Sequence, residues 1–239
     1  LLQKDNQGNN VFHALASRTD DDYTIVLQAF FNVYKKHPDF EIDAKNAALR
    51  TPFSLACKFG KINNVCLWLK LGANPNEKIG LDNWTPLSVA IFNNRFSLVK
   101  EIMENKDRIS NCEIKSNLNM RVYSSDKLHT RTGRNILHLA VEYAELQIAK
   151  YLIKNFTTTK ISESKDSPTI HPEYKVELVS INTQDHSGNT VSHIITDRVI
   201  DNPNEKYGSR LEDFQRKILG LISQAYQFDM RIRNAFGLN

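Results

Sequence analysis

The chain has 239 residues, of which 41% are hydrophobic and 24% are charged. These proportions are ordinary for a soluble folded protein and exclude collagen, a coiled coil and a wholly disordered chain. Its 31 lysine and arginine residues outnumber its 27 aspartate and glutamate residues, which gives a net charge of +4. That excess is too small to indicate nucleic-acid binding by itself. The longest apolar runs are only a few residues, so the sequence predicts no membrane span.

The start of the chain and its cysteines bear on its cellular context. The sequence begins at Leu1 without a basic and then apolar leader, so we expect a segment of a longer protein. Cys57, Cys66 and Cys112 form no CxxC pair. An odd number of unpatterned cysteines favours reduced thiols, and therefore a cytoplasmic or nuclear location.

The sequence repeats itself along most of its length. The clearest block spans 50–78, related blocks span 84–103 and 133–153, and weaker copies span 5–17 and 185–197. The shared threonine-like position falls at Asn10, Thr51, Thr85, Asn135, Thr190 and, at the end of the chain, Asn239. The intervals between these positions are 41, 34, 50, 55 and 49 residues. Periods of this size are typical of repeat architectures.

The clearest block predicts a pair of short helices. A threonine followed by Pro52 is a strong helix start, because the hydroxyl can cap the helix and proline fits its first turn. Leu55 and Ala56 are expected to form the apolar stripe of the first helix, and residues 65–69 the apolar face of the second. Gly72 is expected to end the second helix with a positive φ. Each such unit buries its apolar face only by stacking on its neighbours.

These residues resemble the ankyrin-repeat family, whose pattern reads D-x-x-G-x-T-P-L-H-x-A-A, then a glycine, V-x-x-L-L and G-A-x-x-N. The resemblance implies an all-α fold, a right-handed ankyrin-repeat solenoid of about five helix–turn–helix repeats with short β-hairpin fingers and long insertions. It implies one domain over 1–239, with repeats at roughly 4–43, 44–77, 78–127, 128–182 and 183–232 and the start of a further repeat at 233–239.

Insertions mark where the chain departs from the family pattern. Residues 19–43 contain a lengthened amphipathic outer helix, and a polar excursion runs from 104 to 132. The Ser/Thr/Lys-rich stretch 157–172 is predicted to be a loop, and 210–226 the outer helix of the fifth repeat. Such insertions are an alternative location for partner specificity.

The sequence predicts no enzyme, no cofactor and no metal site. His13, His138 and His193 occupy the fourth position of the TPLH motif, where the resemblance implies that the imidazole binds neighbouring backbone. The remaining histidines form no HExxH motif and no ligand pair at metal spacing. There is no glycine-rich phosphate loop, nucleophile elbow or kinase signature. Cys57 and Cys66 are predicted to be packed thiols and not nucleophiles.

The resemblance instead implies a binding surface. In such arrays the finger tips and the exposed side of the inner helices form one concave groove. The predicted partner-binding residues are Arg50, Lys58, Phe59, Trp84, Phe92, Arg131, Arg134 and Tyr143. Aromatic residues and arginine are preferred anchors of protein interfaces. We therefore expect a non-enzymatic protein–protein interaction module whose partner is an acidic protein or peptide segment with an apolar anchor. The alternative for Phe59 and Phe92 is that they only pack between repeats.

A second reading makes the basic residues near the fourth finger an anion site. This cluster comprises Arg121, Lys127, His129, Arg131 and Arg134. It could recognise phosphoinositide, a phosphopeptide or nucleic acid. A steep loss of binding with added salt would favour this reading, whereas direct nucleic-acid contact is not what we expect of the groove.

The sequence is compatible with several classes of parent protein. Ankyrin-like arrays with long fingers occur in cytosolic parts of ion channels, in cell-cycle transcription regulators, in trafficking regulators and in effectors of intracellular bacteria. The units GNNVFHALA and GNTVSHIIT look most similar to the first two classes. This similarity does not choose between them.

Overall fold

A computed structural model describes residues 3–18, 23–81, 84–104, 133–143, 146–156, 180–200, 208–224 and 229–237. Ten helices and no strand occur within these ranges, which confirms the all-α prediction. The chain divides into two compact units, Leu1–Ser116 and Asn117–Asn239, and each is described by itself. The polar excursion predicted at 104–132, except for Glu104, and the loop predicted at 157–172 lie outside the described residues.

The first unit is built from helix pairs in two layers. Its helices are α1 Val11–Ala16, α2 Tyr23–Tyr34, α3 Pro52–Phe59, α4 Ile62–Lys70, α5 Pro86–Phe92 and α6 Phe96–Glu104. The inner helices α1, α3 and α5 pack in succession, and the outer helices α2, α4 and α6 do the same. Each inner helix also packs on the outer helix that follows it, so every pair buries its apolar face against a neighbouring pair.

The second unit has the same two-layer arrangement. Its helices are α7 Ile136–Tyr143, α8 Leu146–Phe156, α9 Val191–Ile200 and α10 Gly208–Ser223. The inner helices α7 and α9 pack together, the outer helices α8 and α10 pack together, and each inner helix contacts its outer partner. Helix α10 confirms the helix predicted at 210–226, as α2 confirms the lengthened helix predicted within 19–43.

The threonine-like position caps the inner helices, as the sequence predicts. The Thr51 hydroxyl accepts the Ser54 N–H at 3.1 Å, and the Thr85 hydroxyl accepts the Ser88 N–H at 3.2 Å. Asn135 does the same with its amide oxygen at the start of α7. These caps satisfy backbone donors that the first helical turn leaves without a partner. Each cap therefore fixes the residue at which an inner helix begins.

The three TPLH-position histidines are structural. His13 Nε2 lies 3.0 Å from the carbonyl oxygen of Arg50, in the next repeat. His138 Nε2 lies 3.2 Å from the carbonyl oxygen of Asn189, also in the next repeat. Asn189 directly precedes Thr190, just as Arg50 directly precedes Thr51. His193 is buried as well, and its Nδ1 accepts the Thr190 N–H at 3.1 Å. The expectation that these side chains bind neighbouring backbone is confirmed for all three.

The core of the helix pairs differs from the sequence prediction at one position. Phe53, Ala56 and Cys57 are the buried apolar residues of α3, whereas Leu55 is only half-buried. The expectation that Leu55 belongs to the core stripe is therefore wrong. Cys57 is fully buried, which confirms the prediction that it is packed, and this burial raises the pKa of its thiol. Cys66 is buried too.

Short turns connect successive helix pairs on one side of each unit, and we call them finger turns. In the turn that follows Asp5, the carboxylate accepts the N–H groups of Gln7 and Asn9 at 2.8 Å. The turn is completed by Gly8, whose φ is +75°. The next finger turn stacks on it through a hydrogen bond from Ala47 N–H to the Gln7 carbonyl at 2.9 Å. The finger turns therefore form a backbone-linked series beside the inner helices.

Candidate functional site

An aromatic pair occupies the third finger turn and the end of α5. Trp84 directly precedes the Thr85 cap, and its N–H and carbonyl form an antiparallel bridge with Ile79. Phe92 is the last residue of α5 and is 47% exposed. The two ring centroids lie 5.2 Å apart with an interplanar angle of 90°, an edge-to-face contact. The bridge fixes the backbone of Trp84, and its half-buried indole packs edge to face on the Phe92 ring.

The preceding repeat places a second aromatic group and two cations at equivalent positions. Phe59 is the last residue of α3, as Phe92 is of α5. The Lys58 Nζ lies 5.9 Å from the centroid of the Phe59 ring, within the range of a cation–π contact. Arg50 is exposed and directly precedes the Thr51 cap of α3. Because α3 packs against α5, Phe59 and Phe92 end neighbouring inner helices.

Arg95 contacts the end of α3, beside Lys58 and Phe59, and the sequence pattern did not indicate this residue. Its Nε donates a hydrogen bond to the Lys58 carbonyl at 2.7 Å, which satisfies an acceptor at the end of α3. Its aliphatic stem covers Gly60, where a Cβ would lie 2.6 Å from the Arg95 Cδ. No motif indicates this contact, because Arg95 belongs to one repeat and Gly60 to the preceding repeat.

Two leucines add exposed apolar surface on the same finger turns. Leu81 is strongly exposed just before the bridge residue Trp84, and Leu49 is partly exposed in the second finger turn. The Leu49 carbonyl accepts the Gly80 N–H at 3.0 Å, which joins the second turn to the third. Leu49 has a φ of +55°, in the left-handed region where its family pattern places glycine. Neither leucine is among the eight partner-binding residues predicted from the sequence.

Arg134 does not belong to an exposed surface. It is only 7% exposed, and its Nε donates to the Asp185 carboxylate at 3.2 Å. Its other guanidinium nitrogen pairs with Glu142 of α7. Burial acts to lower the pKa of Arg134, but the carboxylates of Glu142 and Asp185 outweigh it and raise that pKa. The expectation that Arg134 presents its charge to a partner is wrong, because the buried carboxylate of Asp185 and the half-buried carboxylate of Glu142 already hold it.

The remaining predicted residues divide between the second unit and the part of the chain that is not described. Tyr143 is the last residue of α7 and is half-buried, the position that Phe59 and Phe92 hold in the first unit. Arg131 lies outside the described residues. So do the other members of the basic cluster proposed for anions, namely Arg121, Lys127 and His129. The one described member of that cluster is the internally paired Arg134.

The described ranges hold no set of three or more histidine, cysteine, aspartate or glutamate side chains placed to bind a metal ion. In the same ranges, no helix has the length and apolarity required to cross a membrane.

Comparison with known proteins agrees with the helix pairs. Residues 53–164 match the family model for ankyrin repeats in three copies. This part of the chain belongs to the ankyrin-repeat family. Ankyrin repeats generally mediate protein–protein interactions and typically have no enzymatic activity. No curated protein matches this ankyrin-repeat chain in sequence.

Solved structures share its fold at low sequence identity. In all, 421 chains match. One belongs to the structure of Bd0816, a predatory endopeptidase from Bdellovibrio bacteriovorus, in complex with immunity protein Bd3460. The match has a TM-score of 0.57 and 15% identity, and it covers 99% of this chain and 89% of the other. At this identity the likeness concerns the fold alone.

Proposed function

We propose that this ankyrin-repeat chain binds a protein or peptide partner through the first unit, as a non-enzymatic module of a larger regulatory protein. The surface consists of Arg50, Lys58, Phe59, Trp84 and Phe92, and we call it the aromatic–basic surface. The observation that carries the proposal is the edge-to-face pair of Trp84 and Phe92, which leaves nearly half of the phenyl ring exposed.

The aromatic pair suits a partner because it is already ordered. Association loses side-chain freedom, and a ring fixed in advance loses little. The backbone of Trp84 is fixed by its bridge to Ile79, and the backbone of Phe92 is fixed by α5. The two rings contact each other edge to face. Aromatic anchors of this kind supply large apolar contact areas and dominate many interfaces. The alternative that Phe92 only packs between repeats leaves its exposed ring surface unexplained.

The cations of the surface define the partner's chemistry. Arg50 and Lys58 carry positive charge, and the five surface residues include no carboxylate. Complementary charge increases the association rate and selects among partners. We therefore infer an acidic protein segment that carries an apolar side chain for the pair.

Two further observations support the proposal. The histidines favour a binding module over an enzyme, and the cysteines favour a reducing compartment. The buried histidines contact backbone atoms, and burial lowers the pKa of His138 to about 4, far from the value suited to acid–base catalysis at neutral pH. Cys57 and Cys66 are buried thiols. Free thiols are typical of the cytoplasm and the nucleus, where we propose that the protein acts.

A display library of random peptides provides the test. The intact chain is used to select binders, and their affinities are then measured for the Trp84→Ala and Phe92→Ala variants. Removal of a true hot spot should weaken binding about thirtyfold, equivalent to about 2 kcal/mol. Phe236→Ala, which truncates a 73% exposed ring of the second unit, is the matched control and should have no effect. The selected peptides should be acidic, and Arg50→Ala should slow their association.

Two results would contradict the proposal. The first is a set of selected peptides whose affinity is the same for the wild type, Trp84→Ala and Phe92→Ala. The second is binding that needs only a phosphate group and falls steeply with salt, since that behaviour belongs to an anion site. Circular dichroism of each variant would establish that the helices are intact.

A further inference from the structure

The first unit has a second candidate surface in its outer layer, which shares no residue with the aromatic–basic surface. A groove of about 690 Å³ runs between α2 and α4 and is lined by nine residues. Ile25 and Ala29 of α2 and Leu67 of α4 supply apolar surface, and Asn32 and Lys70 are among the polar residues of the lining. We call it the α2–α4 groove.

Helix α2 is unusual for an outer helix because none of its twelve residues is charged. Leu27 and Tyr34 are its buried residues, so they account for its packing on the fold. The opposite side is also apolar, with Ile25 75% exposed and Val33 71% exposed. A helix facing solvent normally has a polar outer face. An apolar outer face that borders a groove therefore indicates an interaction site.

The polar groups of the groove are neutral with one exception. Gln28 donates a hydrogen bond from Nε2 to the Asn32 Oδ1 at 3.3 Å, so these two amides are paired with each other. Lys70, the last residue of α4, is the one charged residue of the lining. It is exposed and forms no ion pair within the described part of the chain. A ligand of the groove therefore gains a salt bridge if it places a carboxylate beside Lys70.

The size of the groove decides which kind of occupant it fits. A stable interface between two folded proteins uses about 20–30 residues on each side, so nine lining residues are too few for a second copy of the chain. A helix as long as α2, at 1.5 Å per residue, extends about 18 Å. A single helix of similar length matches a groove formed by two such helices.

We propose that the α2–α4 groove binds an amphipathic helix of a partner protein. Apolar residues spaced three or four positions apart on that helix pack on Ile25, Ala29 and Leu67, and an acidic residue pairs with Lys70. This site is separate from the aromatic–basic surface, so it gives the module a second partner or a second segment of the same partner.

The experiment uses a display library of amphipathic helical peptides about 12 residues long. Binders selected on the intact chain are measured against three variants. Ile25→Lys places a charge in the groove and should weaken binding at least tenfold. Val33→Lys changes an equally exposed residue of the same helix that does not line the groove, and it should leave affinity unchanged. Lys70→Glu should reverse the preference from acidic to basic peptides.

Four outcomes would overturn the proposal. They are failure to select any helical binder, equal effects of Ile25→Lys and Val33→Lys, loss of binding in Trp84→Ala, and a dimer in sedimentation that Ile25→Lys dissociates. The third outcome would place the helix on the aromatic–basic surface, and the fourth would make a second copy the occupant. Because Trp84→Ala is tested separately, failure of this proposal is distinguishable from failure of the proposed function.

Discussion

Two glycines at the same place in successive finger turns provide a direct test of how the turns stack. Gly188 and Gly237 have φ values of +74° and +75°. A Cβ at Gly188 would lie 2.9 Å from the amide nitrogen of Ala235 and 3.1 Å from the Cα of Asn234. A Cβ at Gly237 would meet nothing within 4 Å among the described residues. The two positions share their backbone conformation and differ in whether another turn covers them.

Substitution with alanine should therefore cost different amounts at the two sites. Both variants place an L side chain in the left-handed region, which costs about 1 kcal/mol. Only Gly188→Ala also forces a methyl group against backbone atoms that cannot rotate away, and overpacking of this kind costs about 1–3 kcal/mol. It also loosens the hydrogen bond from Ala235 N–H to the Ser187 carbonyl. We expect a loss of about 2–4 kcal/mol for Gly188→Ala and about 1 kcal/mol for Gly237→Ala.

Urea unfolding followed by circular dichroism measures both free energies, provided that the slope with denaturant is unchanged. The first unit offers an independent pair. Gly8→Ala would place a Cβ 2.8 Å from the Ala47 amide nitrogen, whereas Gly72 has a φ of +97° and open space around it. If the covered and open glycines of each pair lost the same stability to within about 0.5 kcal/mol, the stacking contact would not matter and the reasoning would be refuted.

The features that could be predicted from sequence are those set by residues close together in the chain. A cap and the N–H that it accepts are three residues apart, as Thr51 and Ser54 are, so one motif contains the whole interaction. One contact of the TPLH histidines is local in the same way, since the His138 Nδ1 lies 2.7 Å from the Asn135 Oδ1 three residues earlier. Their contact with the next repeat follows from the family resemblance and not from closeness in the chain. The long outer helix α2 could be predicted because its apolar periodicity continues for twelve residues.

The exposure of side chains could not be predicted in the same way. Arg134 resembles Arg50 in the motif, since each directly precedes a cap residue. It is buried because Asp185 lies 51 residues further along the chain and Glu142 eight residues along. Arg50 is exposed. Position in a repeat thus indicates where a side chain starts, but it does not indicate a partner such as Asp185, which comes from the next repeat.

Three further predictions concern single residues. Leu49→Gly should raise the free energy of unfolding by about 0.5–1 kcal/mol, because it relieves a left-handed leucine; a measured loss in urea unfolding would mean that its packing outweighs the strain. Arg134→Ala should cost about 3–5 kcal/mol in the same assay, because it leaves the buried carboxylate of Asp185 uncompensated, and a change below about 1 kcal/mol would show that the pair is weak. The last concerns pH. Burial lowers the pKa of His138 to about 4 from the ordinary 6.5, while the charge of Asp185 and the carbonyl of Asn189 act in the opposite direction. The folded state then binds fewer protons than the unfolded chain, so this histidine's contribution is complete above pH 6.5 and is lost as the pH falls to 4. The total loss should be about 3 kcal/mol, and His138→Gln should remove this part of the pH dependence. A nuclear magnetic resonance titration of the folded protein should find His138 neutral at pH 6. An imidazolium at that pH would mean that the oxygen atoms around the ring outweigh its burial.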